Sequence, residues 1–223
     1  MAKKIYLSPS MQAHNMYAYG GTNEMEECNR IAEYAQIALE RNGFEVKVAH
    51  KGQSMVKSIE ESNKWKPDLH IPIHTNAANG SADGTLVMVY SNEKKNMEPA
   101  ECIYKAVSSI SPGKTKRAIQ VRKDLAELRD TNSVAVYIEC EFHDNLAISK
   151  WIIENKPAIG EAIAKGICEY YGVKYNQNGA NNSEEKSDGL YKVQVGAYKL
   201  RSNAEKMATK LKDLGVNEVY ITK

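Results

Sequence analysis

The sequence predicts an α/β fold: a mostly parallel twisted sheet flanked by helices on both faces, with a small C-terminal βαβ half-module appended. Three observations predict it. Short apolar runs alternate with stretches of helical period, the signature of βαβ units. The runs themselves, such as LHIPI and VAVYI, are apolar nearly throughout, as strands covered on both faces are. A polar stretch, YNQNGANNSEEKS at 175–187, then separates residues 1–174 from a second pattern of strand, helix and strand at 188–223.

The elements follow in order. IYLSPS is the first strand. Glu24 to Arg41 places small or apolar residues at 28, 31, 32, 35, 38 and 39, a helical stripe that stops at Asn42-Gly43. FEVKVAH alternates and reads as a strand, and SMVKSIEESNKW as a helix capped by Ser54. LHIPIH and TLVMVYS are the third and fourth strands, and a helix runs from Met97 to Ile110 before SPG. AIQVRKD reads as a short strand and VAVYIECEF as an apolar one, and helices at 144–154 and 157–171 close the unit. Residues 175–187 lack large aliphatic side chains and read as a flexible linker.

Composition narrows the function classes. A net charge of +2 makes no case for nucleic acid or an acidic membrane surface, and no run reaches the roughly 20 apolar residues of a membrane helix. The start, MAKKIYLSPS, has lysines but no apolar core behind them, which predicts synthesis in the cytoplasm without a secretory signal. Cys28, Cys102, Cys140 and Cys168 are scattered and read as buried free thiols rather than a zinc-thiolate site.

In sheets of this kind ligands sit beyond the carboxyl ends of the strands. His74 ends the apolar run LHIPI and is followed at once by TNAANG. His14 lies on the loop after the first strand. Glu24 is in phase with Cys28, Ile31 and Ala35, so it points toward the sheet, where a carboxylate needs a partner or a metal. Glu26 and Glu27 read as a solvated first turn. Glu139 ends VAVYI in a desolvated setting that raises a carboxyl toward the range useful for proton transfer. Glu141 falls on the same strand face if the extended backbone continues. A hydrolytic zinc site takes about three protein ligands from His and carboxylate and leaves a position for water.

The segments IPIHTNAANG, GTLVMVYS and VAVYIECEFHDN resemble the zinc-dependent N-acetylmuramoyl-L-alanine amidases of the Amidase_3 type, found in autolysins and phage endolysins. The likeness spans about residues 4–172. It implies one zinc ion per chain held by His14, Glu24 and His74, with Glu139 as the catalytic carboxylate. It also implies hydrolysis of the amide joining N-acetylmuramic acid to L-alanine in peptidoglycan. The family usually opens DPGHGG, whereas here SPS is followed by Met11, Gln12 and Ala13 before His14. Asn76, Arg129 and Glu141 are further candidates for substrate contact or support. Two other readings share this fold: an inactive wall-binding protein, and a zinc peptidase cutting the stem peptide.

YKVQVGAY, with the helix after it, resembles the first half of a SPOR domain, a small peptidoglycan-binding module. One βαβ half leaves an apolar edge uncovered, which predicts that two tails pair in a homodimer. Without a secretory signal, such an enzyme reaches the wall by holin-mediated release or cell lysis, as an endolysin or a sporulation autolysin does.

Overall fold

The side-chain alternation along each strand sorts this sheet into two chemically different faces. The computed structural model describes residues 2–177, 201–213, 215, 216, 219 and 221. The chain divides into two compact units, Met1–Ala180 and Asn181–Lys223. The first runs β1 (Lys4–Pro9), α1 (Glu24–Arg41), β2 (Glu45–Val48), α2 (Met55–Trp65), β3 (Leu69–Asn76), β4 (Leu86–Val89), α3 (Lys94–Ser108), β5 (Gln120–Val121), α4 (Ala126–Arg129), β6 (Val134–Phe142) and α5 (Leu146–Tyr170).

The six strands form one sheet in the order β2-β1-β3-β6-β4-β5. All neighbours are parallel except β4 and β6, which run antiparallel. The expected mostly parallel sheet is therefore present, with one reversed pairing. TLVMVYS returns through a loop too short for a parallel crossover.

On one face, Ile5, Leu7, Ile71, Ile73, Val136, Ile138 and Cys140 join the inner sides of α1, α3 and α5 in the main core. Burying each large aliphatic side chain contributes about 1.5–3 kcal/mol, so this layer supplies most of the driving force. Gly166 lets α5 approach α3 closely, since a Cβ there would lie 2.6 Å from the Ile103 Cα. The alternate residues, Tyr6, Ser8, His70, His74, Tyr137 and Glu139, face the other way, toward α2 and α4. A smaller cluster of Leu86, Met88, Leu128, Ala135 and Tyr137 forms there. This second face carries the polar and titratable side chains.

Several boundaries differ from expectation for local reasons. The helices predicted at 144–154 and 157–171 are one element, bent where Asn155 leaves helical geometry ahead of Pro157. Helix α3 begins at Lys94 rather than Met97 and accommodates Pro99 in its first turns. Helix α4 was unforeseen because four residues are too few for a periodic signal. Glu27, expected in solvent, is buried, and its carboxylate pairs with Lys156 at 2.7 Å while Thr22 donates to it.

The first residues of the stretch read as a linker contact the first unit. Tyr175 donates to Glu161, and Asn176 is held from both sides by Asn42 at 2.8 and 3.1 Å. The rest of that linker and the strands expected on either side of α6 (Arg201–Asp213) lie largely outside the described residues. Helix α6 itself forms where the stripe of Ala204, Met207, Ala208 and Leu211 predicts it, and those four are the less exposed among its described side chains. Among the described residues, no helix is long and apolar enough to cross a membrane.

Candidate active site

The loop between β1 and α1 is fastened to the carboxyl end of the sheet. Ser10 N–H donates to the Ile73 carbonyl at 2.9 Å, and Glu24 N–H donates to the Asn15 carbonyl at 2.9 Å. Tyr17 stacks on His143, and its hydroxyl lies 3.0 Å from Thr75 Oγ1. Asn23 caps α1 by accepting from the Glu26 N–H, so the first turn of the helix, with Glu24, is placed against the end of β3.

There His74 Nδ1 lies 2.7 Å from Glu24 Oε1, both side chains being buried. Asn15 Nδ2 donates to Glu24 Oε2 at 2.6 Å and to Gln12 Oε1 at 2.9 Å, and Gln12 Nε2 is 3.5 Å from His74 Nδ1. Tyr137 stacks on the imidazole at 4.5 Å. On its other side, His74 Nε2 is 3.9 Å from Glu127 Oε2. Burial works against charge on His74, but the carboxylates on both sides overcome it and hold its pKa at about 10. Burial likewise raises Glu24, but the hydrogen bond and charge of His74 bring it below the usual carboxylate range.

Glu139 faces the same way from the neighbouring strand, directly opposite His74 in register. Its Oε2 is buried and has no hydrogen-bond partner. Burial pushes its pKa up to about 7, against the opposing charge of His74. Such an orphaned carboxylate oxygen beside an imidazole has the makings of a general base.

A cavity of about 390 Å³ opens beside these groups, lined by Met11, His14, Met55, His74, Glu127 and Tyr137 among others. The structure thus gathers Glu24, His74 and Glu139, and it sets His14 exposed on the wall of the cavity that His74 also lines. Against the Glu24–His74 pair the loop presents the carboxamides of Gln12 and Asn15. Among the described residues, no group of three or more His, Cys, Asp or Glu side chains stands arranged to hold a metal ion. The donor chemistry nevertheless suits zinc. A buried imidazole and carboxylate are adjacent, a second imidazole lies on the same wall, and the neighbouring carboxylate oxygen lacks a partner.

Three candidates have other employment. Glu141 is fully buried and clasps two loops, accepting from Gly84 N–H at 2.8 Å and from the Ser111 hydroxyl. It continues the face of Glu139, but the register shifts after His74 and its oxygens are taken. Arg129 pairs with its neighbour Asp130 at the surface, and Asn76 Oδ1 accepts from Ala77 N–H. Conversely, Glu127 was missed. Its signal was a lone acid among Leu125, Ala126 and Leu128, which by itself does not separate a buried carboxylate from a solvated one.

The mostly parallel α/β sheet thus carries at its carboxyl edge a carboxylate paired with an imidazole and, opposite them, a glutamate with one unpartnered oxygen. The chain belongs to the N-acetylmuramoyl-L-alanine amidase family, Amidase_3, which it matches over residues 7–169. Residues 174–223 match the SPOR domain. The chain is 23% identical, over 168 residues, to the sporulation-specific N-acetylmuramoyl-L-alanine amidase of Bacillus subtilis, covering 73% of this chain and 60% of that protein. It is 28% identical over 141 residues to an uncharacterised cell wall amidase of Bacillus anthracis, covering 60% of this chain and 27% of that protein. It thus spans less than two thirds of either relative. The catalytic domain of CwlV, an N-acetylmuramoyl-L-alanine amidase from Bacillus (Paenibacillus) polymyxa var. colistinus, shares the fold with a TM-score of 0.70 at 16% identity, covering 77% of this chain and 99% of that one. The catalytic domain of the CD27L endolysin, which targets Clostridia difficile, does so with a TM-score of 0.63 at 24% identity, covering 75% and 97%.

Proposed function

We propose that this protein hydrolyses the amide bond between N-acetylmuramic acid and L-alanine in peptidoglycan, with one zinc ion per chain. The observation that carries the reading is the Glu139 carboxylate. Its Oε2 is buried without a partner, its pKa is about 7, and it sits opposite His74 in a chain of the amidase family. Glu24 and His74 are the buried residues that would hold the metal, and His14, on the cavity wall, is the third. When bound, zinc supplies Lewis-acid polarisation of the scissile carbonyl and lowers the pKa of water toward ~7. Glu139 accepts the proton of the attacking water and passes it to the departing L-alanine nitrogen. Tyr137, stacked on His74, covers one face of the imidazole.

The C-terminal segment is proposed to bind peptidoglycan, on the strength of its SPOR match. Pairing of two such segments in a homodimer is the finer form of that proposal, supported by the apolar stripe on α6. A release route through a holin or cell lysis belongs to the same reading.

The test is incubation of the full chain with purified cell walls, with and without a chelator, followed by identification of new amino termini. Free L-alanine amino termini that vanish on chelation are expected. New termini within the stem would make the protein a peptidase instead. Wall binding without any new termini would make it an inactive binder.

A further inference from the structure

On the sheet face that carries Glu139, one level of the strands reads Tyr137, Met88 and Gln120 across β6, β4 and β5. Arg122 follows just past β5, where its N–H donates to the Val89 carbonyl at 2.9 Å and extends the ladder by one step. Alternation returns it to the face of Gln120. Its side chain agrees: Nη1 lies 4.0 Å from Met88 Sδ, and Met88 packs with Leu86 and Tyr137 on that face. Leu86 stands opposite Glu139 in register. Burial raises the pKa of Glu139, and the charges of His74 and Arg122 work against that rise.

The guanidinium is braced. Asp124 accepts from Nε at 2.9 Å and from Nη2 at 2.7 Å, which fixes the plane of the fork. The two side chains are 41% and 65% exposed, so the pair itself adds little stability. A guanidinium carries five N–H donors, and Asp124 takes two of them. Nη1 has only the weakly accepting Met88 thioether within reach among the described residues. That edge of the fork is left to offer.

Charge and reach say to what. Glu24, Glu127 and Glu139 gather at His74, so an anionic arm of a substrate needs a cation nearby to enter. Neighbouring strands lie about 4.8 Å apart, which puts β5 roughly 10 Å from Glu139 on β6. Extended peptide covers about 3.3–3.6 Å per residue, so this span is about two to three residues.

We infer that Arg122, braced by Asp124, is a substrate-binding residue that takes a free carboxylate of the stem peptide, two to three residues beyond the scissile amide. The inference rests on the amidase reading and deepens it. Stems with that carboxylate free are preferred over stems in which it is amidated.

The experiment compares two N-acetylmuramoyl tripeptides that differ only at the carboxyl groups of the second and third stem residues, free in one and amidated in the other. With the full chain supplied with zinc, the free acid should show a KM about 10–100-fold lower at similar kcat. Arg122→Gln should raise the KM of the free acid to that of the amide and leave both constants of the amide unchanged. A merely structural pair would shift both substrates alike. Arg122→Glu should make the amide the better substrate. Equal KM values for the two peptides with the wild-type chain overturn the inference without any variant, as does a preference that survives Arg122→Gln. Calorimetric titration of both peptides into the chelator-treated full chain keeps the two readings apart. Tighter binding of the free acid without cleavage sinks the amidase reading alone, and cleavage of both peptides without preference sinks this inference alone. Neither binding nor cleavage sinks both.

Discussion

His74 at the end of β3 and Glu24 in the first turn of α1 meet at 2.7 Å, Nδ1 to Oε1, and so join the sheet edge to the helix that covers its opposite face. The pairing makes the stability of the metal-free protein depend on pH. The pKa of His74 is raised from 6.5 to about 10, with burial opposing and the flanking carboxylates prevailing. A raised histidine contributes stability that is fully present below about 6.5 and is lost as the pH climbs through about 10. Denaturant unfolding of chelator-treated protein should therefore show a falling slope across that window, and His74→Gln should remove it. An unchanged slope in the variant would place the charge elsewhere.

Glu139 and Glu141, two residues apart, should part company under substitution. Glu139→Gln is expected to lower turnover on cell walls by about 10²–10⁴-fold with zinc content and melting temperature preserved. Because burial raises Glu139 to about 7, wild-type kcat/KM should rise with pH through neutrality as the base form fills. Glu141→Ala strands the Gly84 N–H and the Ser111 hydroxyl. It should cost about 1–3 kcal/mol of stability per stranded group and leave the activity of the folded fraction close to wild type. Reversed outcomes would exchange the roles.

His14 separates two ways of completing a metal site. Exposed on the cavity wall, it is the proposed third ligand, while Gln12 and Asn15 stand against Glu24 and His74. His14→Ala is expected to reduce zinc from one ion per chain to a small fraction, read by elemental analysis after gel filtration. Full zinc content in that variant would transfer the ligand role to another group in the loop.

The proposed pairing of C-terminal segments predicts a change of mass. Light scattering should give twice the chain mass for the full protein and a monomer for a version ending at Gln177. A truncated protein that keeps the full protein's oligomeric state would remove the segment from any dimerising role.

Much of this was legible in local pattern. The stripe from Cys28 to Leu39 defined α1 and put Glu24 on its buried side, because a 3.6-residue period ties phase to burial along a helix. The apolar runs ending at His74 and Glu139 placed both at the sheet's carboxyl edge, because strand length and polarity are written in consecutive residues. Their register opposite one another was not written there. Nor was the row from Ser62 through His70, Glu127 and His74 to Glu24, whose members come from α2, β3, α4 and α1. Glu127 and Glu27 show the reason: whether an acid lies in water or in the interior depends on elements far off in the chain, here β3 and α5. Sequence period determines which face a residue takes, and only the packing of distant elements decides what waits on that face.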